Sequence, residues 1–344
     1  MRSCADDLDP TARAQAEALL GRPLRDAVKI GGGANSRVYR VFDGSAHFAL
    51  KLYPHDDRRD RLGAELTALR FLHRHGMRDV PQVVAADRER RIGVYEWIEG
   101  TPVDRPGDGD IEAAVRLLGT LHRLRDAEPP SSFPLAAEAC LSPGELAAQV
   151  ERRFARLAEV AEQPALAAFL AGGVAPVLAD ARAHAEDRIA AAGLAFAADL
   201  PPAQRSLSPS DFGFHNAIRR SDGSLVFCDF EYFGWDDPVK PVADFLLHPG
   251  MTPTDAQRRA FTAGALSLYG VDATLGLRLR ALFPVYGLRW CLILLNEFLP
   301  ERWAHRVAAG AAADRDTVLA RQLLKAQALL ETARRSIAAF PWSE

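Results

Sequence analysis

Two neighbouring motifs decide the fold: Leu207-Ser208-Pro209-Ser210-Asp211-Phe212-Gly213-Phe214-His215-Asn216 and Leu225-Val226-Phe227-Cys228-Asp229-Phe230-Glu231. Asp211 precedes Asn216 by five positions, and thirteen positions later Asp229 ends a run of four apolar residues. Phosphoryl transfer needs a carboxylate that orients and deprotonates a hydroxyl, and an amide oxygen and a carboxylate that hold magnesium against phosphates. The three side chains supply these groups in that order. A polar turn between strands would explain Asp222-Gly223, but not an acidic motif directly after an apolar run.

A glycine-rich segment near the N-terminus, Ile30-Gly31-Gly32-Gly33-Ala34-Asn35-Ser36, precedes a predicted strand. Glycines let backbone N–H groups come close to phosphate oxygens. The candidate phosphate contacts are Gly31, Gly32, Gly33, Asn35 and Ser36. A flexible hairpin turn is the alternative. No helix follows the glycines, so the segment is not a dinucleotide-binding fingerprint.

Lys51 stands in the apolar strand pattern Phe48-Ala49-Leu50-Lys51-Leu52-Tyr53. Only four of the 42 basic residues are lysine, so its use here indicates a specific need for an ammonium group. A lysine on such a strand can hold ATP phosphates, and Glu65 on the following helix can pair with it. A solvent-facing lysine and an exposed helix carboxylate are the alternatives for these two residues.

The order of predicted elements indicates an α+β chain in two lobes. A short helix started by Asp9 or Thr11 ends at Gly21. Strand-like segments fill residues 28–103, interrupted by one helix over 57–75. A Pro-, Gly- and Asp-rich segment follows at 101–110, and the rest is mostly helical except for two short strands within 207–233. We therefore expect an N-lobe over residues 1–100 and a C-lobe over 101–344.

Composition narrows the possible partners. The net charge of −3 among 344 residues gives no sign of a nucleic-acid-binding surface. The apolar run at residues 165–179 has only 15 residues and contains Gly172, Gly173 and Pro176, so no membrane partner is expected. The four cysteines are far apart and match no metal or redox spacing. We expect free thiols in a reducing cytoplasm.

With these residues in view, the chain resembles the aminoglycoside phosphotransferase and choline kinase group. That group has an aspartate, four residues, an asparagine, and later an aspartate-aromatic-glutamate. The resemblance covers residues 28–248 and includes Val94-Tyr95-Glu96-Trp97-Ile98-Glu99-Gly100 and Gly234-Trp235-Asp236-Asp237-Pro238. It implies a protein-kinase-like fold with a small β-rich N-lobe and a larger helical C-lobe. It also implies that Asp211 is the catalytic base, that Asn216 and Asp229 bind the metal, and that the backbone of Glu96 and Ile98 holds adenine.

Two departures from the group's pattern stand out. The group usually has His-Gly before the catalytic aspartate, where this chain has Pro209-Ser210. It also often has an aspartate three residues after Asp-Pro, whereas this stretch reads Asp237-Pro238-Val239-Lys240-Pro241. Activity is expected to survive the first change, and the second implies a different tether in the C-lobe.

The acceptor side is represented by one predicted helix over residues 288–298. Arg289, Asn296 and Glu297 fall at i, i+7 and i+8, on one face of an otherwise apolar helix. Buried polar groups need partners, and the sequence leaves open whether a substrate or an internal Arg–Glu network provides them. An aminoglycoside pocket should be rich in carboxylates, and the C-terminal residues 338–344 supply one. This favours a sugar, an amino-alcohol or a related metabolite.

The resulting prediction is an ATP- and Mg²⁺-dependent enzyme that phosphorylates a hydroxyl group of a small molecule. A protein kinase is disfavoured because little chain separates Asp229 from Asp237-Pro238, leaving no room for an activation segment. A nucleotide-binding pseudokinase is the alternative outside catalysis. The missing His-Gly pair supports it, and the intact Lys51, Asp211, Asn216 and Asp229 argue against it. The choice between ATP and GTP, and the oligomeric state, are not readable from the sequence.

Overall fold

A computed structural model describes residues 8–30, 36–55, 59–160, 163–308 and 314–342. The helices are α1 (Pro10–Leu20), α2 (Arg61–Arg74), α3 (Asp108–Arg123), α4 (Pro143–Glu159), α5 (Pro164–Ala168), α6 (Ala175–Ala191), α7 (Val239–Leu247), α8 (Asp255–Leu268), α9 (Leu275–Leu294), α10 (Pro300–Ala308) and α11 (Arg315–Ala338). The strands are β1 (Asp26–Lys29), β2 (Arg37–Phe42), β3 (His47–Leu52), β4 (Val83–Asp87), β5 (Ile92–Glu96), β6 (Thr101–Pro102), β7 (Ser206–Ser208), β8 (Ala217–Arg219), β9 (Leu225–Phe227) and β10 (Gly234–Asp236).

The chain forms two compact units. The described residues within Met1–Val103, Asn216–Phe233 and His305–Ala311 form the first unit, and those within Asp104–His215, Gly234–Ala304 and Ala312–Glu344 form the second. The first unit is thus an antiparallel sheet with helices, and the second is mostly helical. This is the two-lobed α+β class expected from the sequence. The segment Asn216–Phe233 joins the first unit although it lies in the middle of the helical half of the chain.

A five-stranded antiparallel sheet, ordered β1-β2-β3-β5-β4, forms the body of the first unit. Helix α1 covers one face of it. Asp9 caps the helix by accepting N–H bonds from Thr11 and Ala12, and Gly21 ends it with φ +68°. The buried residues of this layer are Leu8, Ala12, Ala16, Leu24, Ala27, Tyr39, Val41, Leu50, Leu52, Ile92 and Val94.

Helix α2 starts at the cap Asp60, whose carboxylate accepts the N–H of Gly63. Leu62, Leu66 and Leu69 recur at helical spacing and are buried. Glu65 is three residues after Leu62 and four before Leu69, so it lies on the same inward face and is only 3% exposed. The period of this helix therefore directs a carboxylate into the unit.

The second unit is built around α9, which is buried along most of its length, and α7, in which every residue is buried. Two strands not expected from the sequence, β7 and β10, pair antiparallel; β7 overlaps the start of the first motif, and β10 follows the second motif. They are too short for a period-2 pattern to reveal them, because a three-residue strand depends on its partner. The expected strands around Ser221-Asp222-Gly223 are present as β8 and β9.

Two helical stretches, Pro164–Ala191 and Leu275–Phe298, are long and apolar enough to cross a membrane by length and composition alone. This differs from the expectation based on residues 165–179. A π-helical turn, Phe169–Val174, carries the helix through the two glycines and on to Ala191. The apolar window is 78% buried in Leu275–Phe298 and 28% buried in Pro164–Ala191. Core helices pass the same test, so the finding is weak support for a membrane partner.

Candidate active site

The central strand β3 directs Lys51 away from the α1 layer. Leu50 and Leu52 belong to the core under α1, so by strand alternation Lys51 points to the opposite face. There its Nζ lies 2.7 Å from Oε2 of Glu65 on α2. Lys51 is 8% exposed. The predicted strand lysine and helix glutamate therefore form a buried ion pair, and the solvent-facing alternatives for both residues are excluded.

A pair of tyrosines that sequence reasoning missed supports Glu65 from the same face of the sheet. The hydroxyl of Tyr53 donates to Glu65 Oε2 and lies 2.7 Å from the hydroxyl of Tyr95. Burial, and then the negative charge of Glu65, raise the pKa of Tyr53 well above its usual range, so it remains a donor. Gly93 leaves room for this cluster, since a Cβ there would lie 2.5 Å from the Tyr95 hydroxyl oxygen.

Asp229 follows β9 in a left-handed conformation, with φ +66°, which aspartate tolerates better than most residues. Its Oδ1 lies 3.0 Å from Lys51 Nζ. Glu231 follows two residues later, and its Oε1 accepts a 2.6 Å bond from Arg61. Burial alone would lower the pKa of Lys51, but Asp229, Glu65 and Glu231 outweigh it and hold that pKa well above its usual range.

Charge is unbalanced in this cluster. Three carboxylates, those of Glu65, Asp229 and Glu231, place oxygens within 4.8 Å of one another, and they face two cations, Lys51 and Arg61. Burial, and then the Asp229 carboxylate, raise the pKa of Glu231 to about 7. The Oε2 atom of Glu231 is buried without a hydrogen-bond partner. An excess of oxygen donors and negative charge is the environment that Mg²⁺ prefers.

Asn216 stands beside this cluster. The backbone carbonyl oxygen of Asn216 accepts a 2.7 Å hydrogen bond from the N–H of Cys228, the residue before Asp229. The β8–β9 hairpin, which pairs Ala217 with Phe227, fixes this arrangement. The two residues expected to bind metal therefore lie at the same end of one hairpin, and an amide oxygen and a carboxylate are ligand types that magnesium accepts.

Asp211 belongs to the second unit, where it pairs with a histidine. Its Oδ1 lies 2.9 Å from Nε2 of His215, and the ring of His215 stacks on His248 at 3.7 Å and 12°. Burial lowers the pKa of His248 to about 3, so this ring is neutral at physiological pH. The three residues present possible metal-ligand atoms within 4.8 Å. Nearly parallel rings do not aim their nitrogens at one point, however, so the geometry favours a loop role for His215.

The glycine-rich loop lies largely outside the described residues, including Gly31, Gly32, Gly33 and Asn35. Ser36, at its end, is buried. In the segment expected to hold adenine, the N–H of Glu96 is bonded to Gln82 O at 2.8 Å. Ile98 is buried, and no hydrogen-bond partner of its N–H occurs among the described residues. Of these two backbone groups, Ile98 N–H is the available donor.

The expected single helix over residues 288–298 differs in the structure, because α9 ends at Leu294 and a 3₁₀ turn, Leu295–Phe298, follows. Arg289 is buried and pairs with Asp244 at 3.2 Å and Glu138 at 2.9 Å. This is the internal network that the sequence left open, and its carboxylates are those of Glu138 and Asp244. Asn296 and Glu297 lie in the 3₁₀ turn and are partly exposed.

Comparison with solved structures shows the same fold in several phosphotransferases. The chain is similar to a spectinomycin phosphotransferase in complex with ADP and spectinomycin (13% identity, TM-score 0.63, 94% of this chain and 99% of that one). It is similar to a choline kinase from Streptococcus pneumoniae (16% identity, TM-score 0.57, 94% of this chain and 98% of that one). It is also similar to an ethanolamine kinase from Plasmodium vivax (15% identity, TM-score 0.56, 95% of this chain and 87% of that one).

No curated protein sequence matched the chain. The sequence does match the phosphotransferase enzyme family (APH) over residues 26–282, about three quarters of its length. The matched range contains the lysine–glutamate pair, the aspartate–histidine pair and the β8–β9 hairpin. The chain belongs to the phosphotransferase enzyme family.

Proposed function

We propose that the protein transfers the γ-phosphoryl group of ATP, with Mg²⁺, to a hydroxyl group of a small molecule. The observation that carries the proposal is the buried cluster of Lys51, Glu65, Asp229 and Glu231, with Asn216 beside it. A stable fold does not need three carboxylates around one lysine, since buried ion pairs are weak stabilisers. Binding of a nucleoside triphosphate and its metal ion would explain why these charged residues are placed together.

The proposed roles follow from the contacts. Lys51 Nζ binds phosphate oxygens and is held in place by Glu65 Oε2, which also accepts a bond from the Tyr53 hydroxyl. Asn216 and Asp229 would bind Mg²⁺, which neutralises negative charge on the phosphate oxygens when it is bound. The Ile98 N–H would meet the adenine ring.

Asp211 accepts the proton as the acceptor hydroxyl oxygen forms its bond to the γ-phosphorus. The bond from that phosphorus to the bridging oxygen breaks, and ADP leaves with its electron pair. The bond from His215 Nε2 keeps the Asp211 carboxylate oriented before the reaction. Sugars, amino-alcohols and related metabolites are the proposed acceptors, with Asn296 and Glu297 as candidate contacts.

The test is ATP turnover by purified protein with a panel of alcohols, with and without Mg²⁺. Turnover should require the metal, and Asp229→Ala should abolish it while leaving the melting temperature measurable and cooperative. Asp180→Ala, on the exposed face of α6, makes the same change in net charge and should keep full activity. Normal turnover by folded Asp229→Ala would disprove the assignment. Nucleotide binding by the wild type without turnover on any alcohol would favour the pseudokinase.

A further inference from the structure

Ser210, directly before Asp211, has a strained backbone. Its φ is +67°, and the N–H of Asp211 donates to Pro209 O at 2.9 Å, which closes a three-residue turn around it. A positive φ at the centre of such a turn is the rare, strained form. For a residue with a side chain, this conformation is unfavourable and persists only where the surroundings enforce it.

Three hydrogen bonds enforce it. The Ser210 N–H donates to Ser208 Oγ at 3.0 Å, and the Ser210 hydroxyl donates to Ala137 O at 3.0 Å. The same hydroxyl oxygen accepts a 2.8 Å bond from Lys240 Nζ. A hydroxyl group can donate only one hydrogen bond. Because Ser210 donates its bond to the Ala137 carbonyl, its oxygen lone pairs can accept the bond from Lys240. Both side chains are buried.

Lys240 is 1% exposed, yet two carboxylates lie beside its ammonium group. Burial alone would lower its pKa, but Asp236 and Asp244, each 3.4 Å away, outweigh burial and raise it. An ammonium group has three N–H bonds, and three oxygens surround it. Arginine, which this chain uses for nearly all its other cations, presents a planar fork that does not fit three oxygens around one point.

We propose that Lys240, acting through the hydroxyl of Ser210, is a positioning residue that holds the turn before Asp211 and so aims the catalytic carboxylate. The first departure from the family pattern, Pro209-Ser210, and a lysine within the second, the stretch 237–241, are then two halves of one contact. Lys240 is the C-lobe tether that the sequence implied but did not identify. This inference rests on the proposed role of Asp211.

The first test is Ser210→Gly, which removes the Lys240 acceptor while accommodating the positive φ without strain. We expect kcat to fall about 10- to 100-fold, as displacements near 1 Å do, with KM for ATP unchanged and little loss of melting temperature. The matched control is Ser336→Ala, which removes another buried hydroxyl bond, to Ala333 O in α11. It should lower the melting temperature and leave kcat unchanged, because a structural hydroxyl does not affect turnover per folded molecule.

The second test places Lys240→Met in the wild-type and Ser210→Gly backgrounds. If Lys240 acts through Ser210, the substitution lowers kcat of the wild type by a similar factor and changes kcat of the Ser210→Gly protein little. Equal, independent losses in both backgrounds would overturn the proposal. If Lys240→Met does not fold, the Ser210→Gly result decides alone, and normal kcat there rejects the proposal. Asp211→Asn separates the two hypotheses. Full activity of that variant refutes the proposed function, whereas an inactive Asp211→Asn with a fully active Ser210→Gly refutes only the tether.

Discussion

Replacing Lys51 by methionine removes one of the two cations that face Glu65, Asp229 and Glu231 and leaves these carboxylates with Arg61 alone. The cluster changes from two cations and three carboxylates to one cation and three carboxylates. Removing one partner of a buried ion pair typically costs about 3–5 kcal/mol. For a unit of this size, that corresponds to roughly 6–20 °C in Tm.

The loss should depend on pH in a direction that can be worked out. In the folded wild type, burial and Asp229 raise the pKa of Glu231 to about 7, above its unfolded value, so the folded state holds the extra proton between the two values. The stability that Glu231 contributes therefore falls as pH rises from the ordinary pKa of 4.5 to about 7, and it is constant above that. Without Lys51 the carboxylates hold a proton to higher pH. The deficit of Lys51→Met should thus widen by about 1–2 kcal/mol between pH 7 and 8.5, at about 1.4 kcal/mol per pH unit and proton.

The assay is thermal unfolding of wild type, Lys51→Met and the control Lys325→Met at pH 6 to 8.5. The control has the same change in net charge on the exposed face of α11. Added Mg²⁺ should stabilise Lys51→Met more than the wild type, because the cation replaces lost positive charge. A Tm for Lys51→Met that matches the control at every pH would refute the view that these residues form a strongly coupled buried cluster.

The remaining predictions concern single groups. Asp211→Asn should lower kcat by about 10²–10⁴-fold without changing nucleotide affinity, and steady-state kinetics with ATP titration would contradict this if binding weakened while kcat stayed normal. Asn296→Ala should lose less than about 1 kcal/mol of stability, because its side chain has no hydrogen bond to the described residues. If Asn296 contacts the acceptor, KM for the acceptor should rise about tenfold, or about 1.4 kcal/mol, and an unchanged acceptor KM would exclude it. Burial alone would raise the pKa of Glu138, but Arg153 and Arg289 lower it to about 2. The stability that the Glu138 carboxylate contributes is therefore complete above its ordinary pKa of 4.5 and is lost as pH falls toward 2. The Tm of Glu138→Gln should therefore fall less steeply than that of the wild type between pH 4.5 and 2.

Local sequence patterns were sufficient for much of the first unit. Strand alternation in β3 puts Lys51 opposite Leu50 and Leu52, and the helical period of α2 puts Glu65 on the buried face. Both periodicities depend only on neighbouring residues. The spacing of Asp211, Asn216 and Asp229 is local in the same sense, which is why the family could be identified from it.

Partners distant along the chain could not be predicted in this way. Arg289 meets Glu138, 151 positions away, and Ser210 meets Lys240, 30 positions away. The sequence marked Pro209-Ser210 and the stretch 237–241 only as two separate departures from a pattern. The room that Gly93 leaves for the Tyr95 hydroxyl likewise depends on the packing of one side chain against its own strand.

The sequence by itself determined the chemistry of this protein: its motif residues, the faces of its strands and helices, and its membership of a phosphotransferase family. Tertiary structure alone decided which oxygen each buried cation meets, and so which polar residues are structural and which are available for ligands. The physical reason is that periodicity is a property of consecutive residues, whereas the satisfaction of a buried charge depends on segments that only packing brings together.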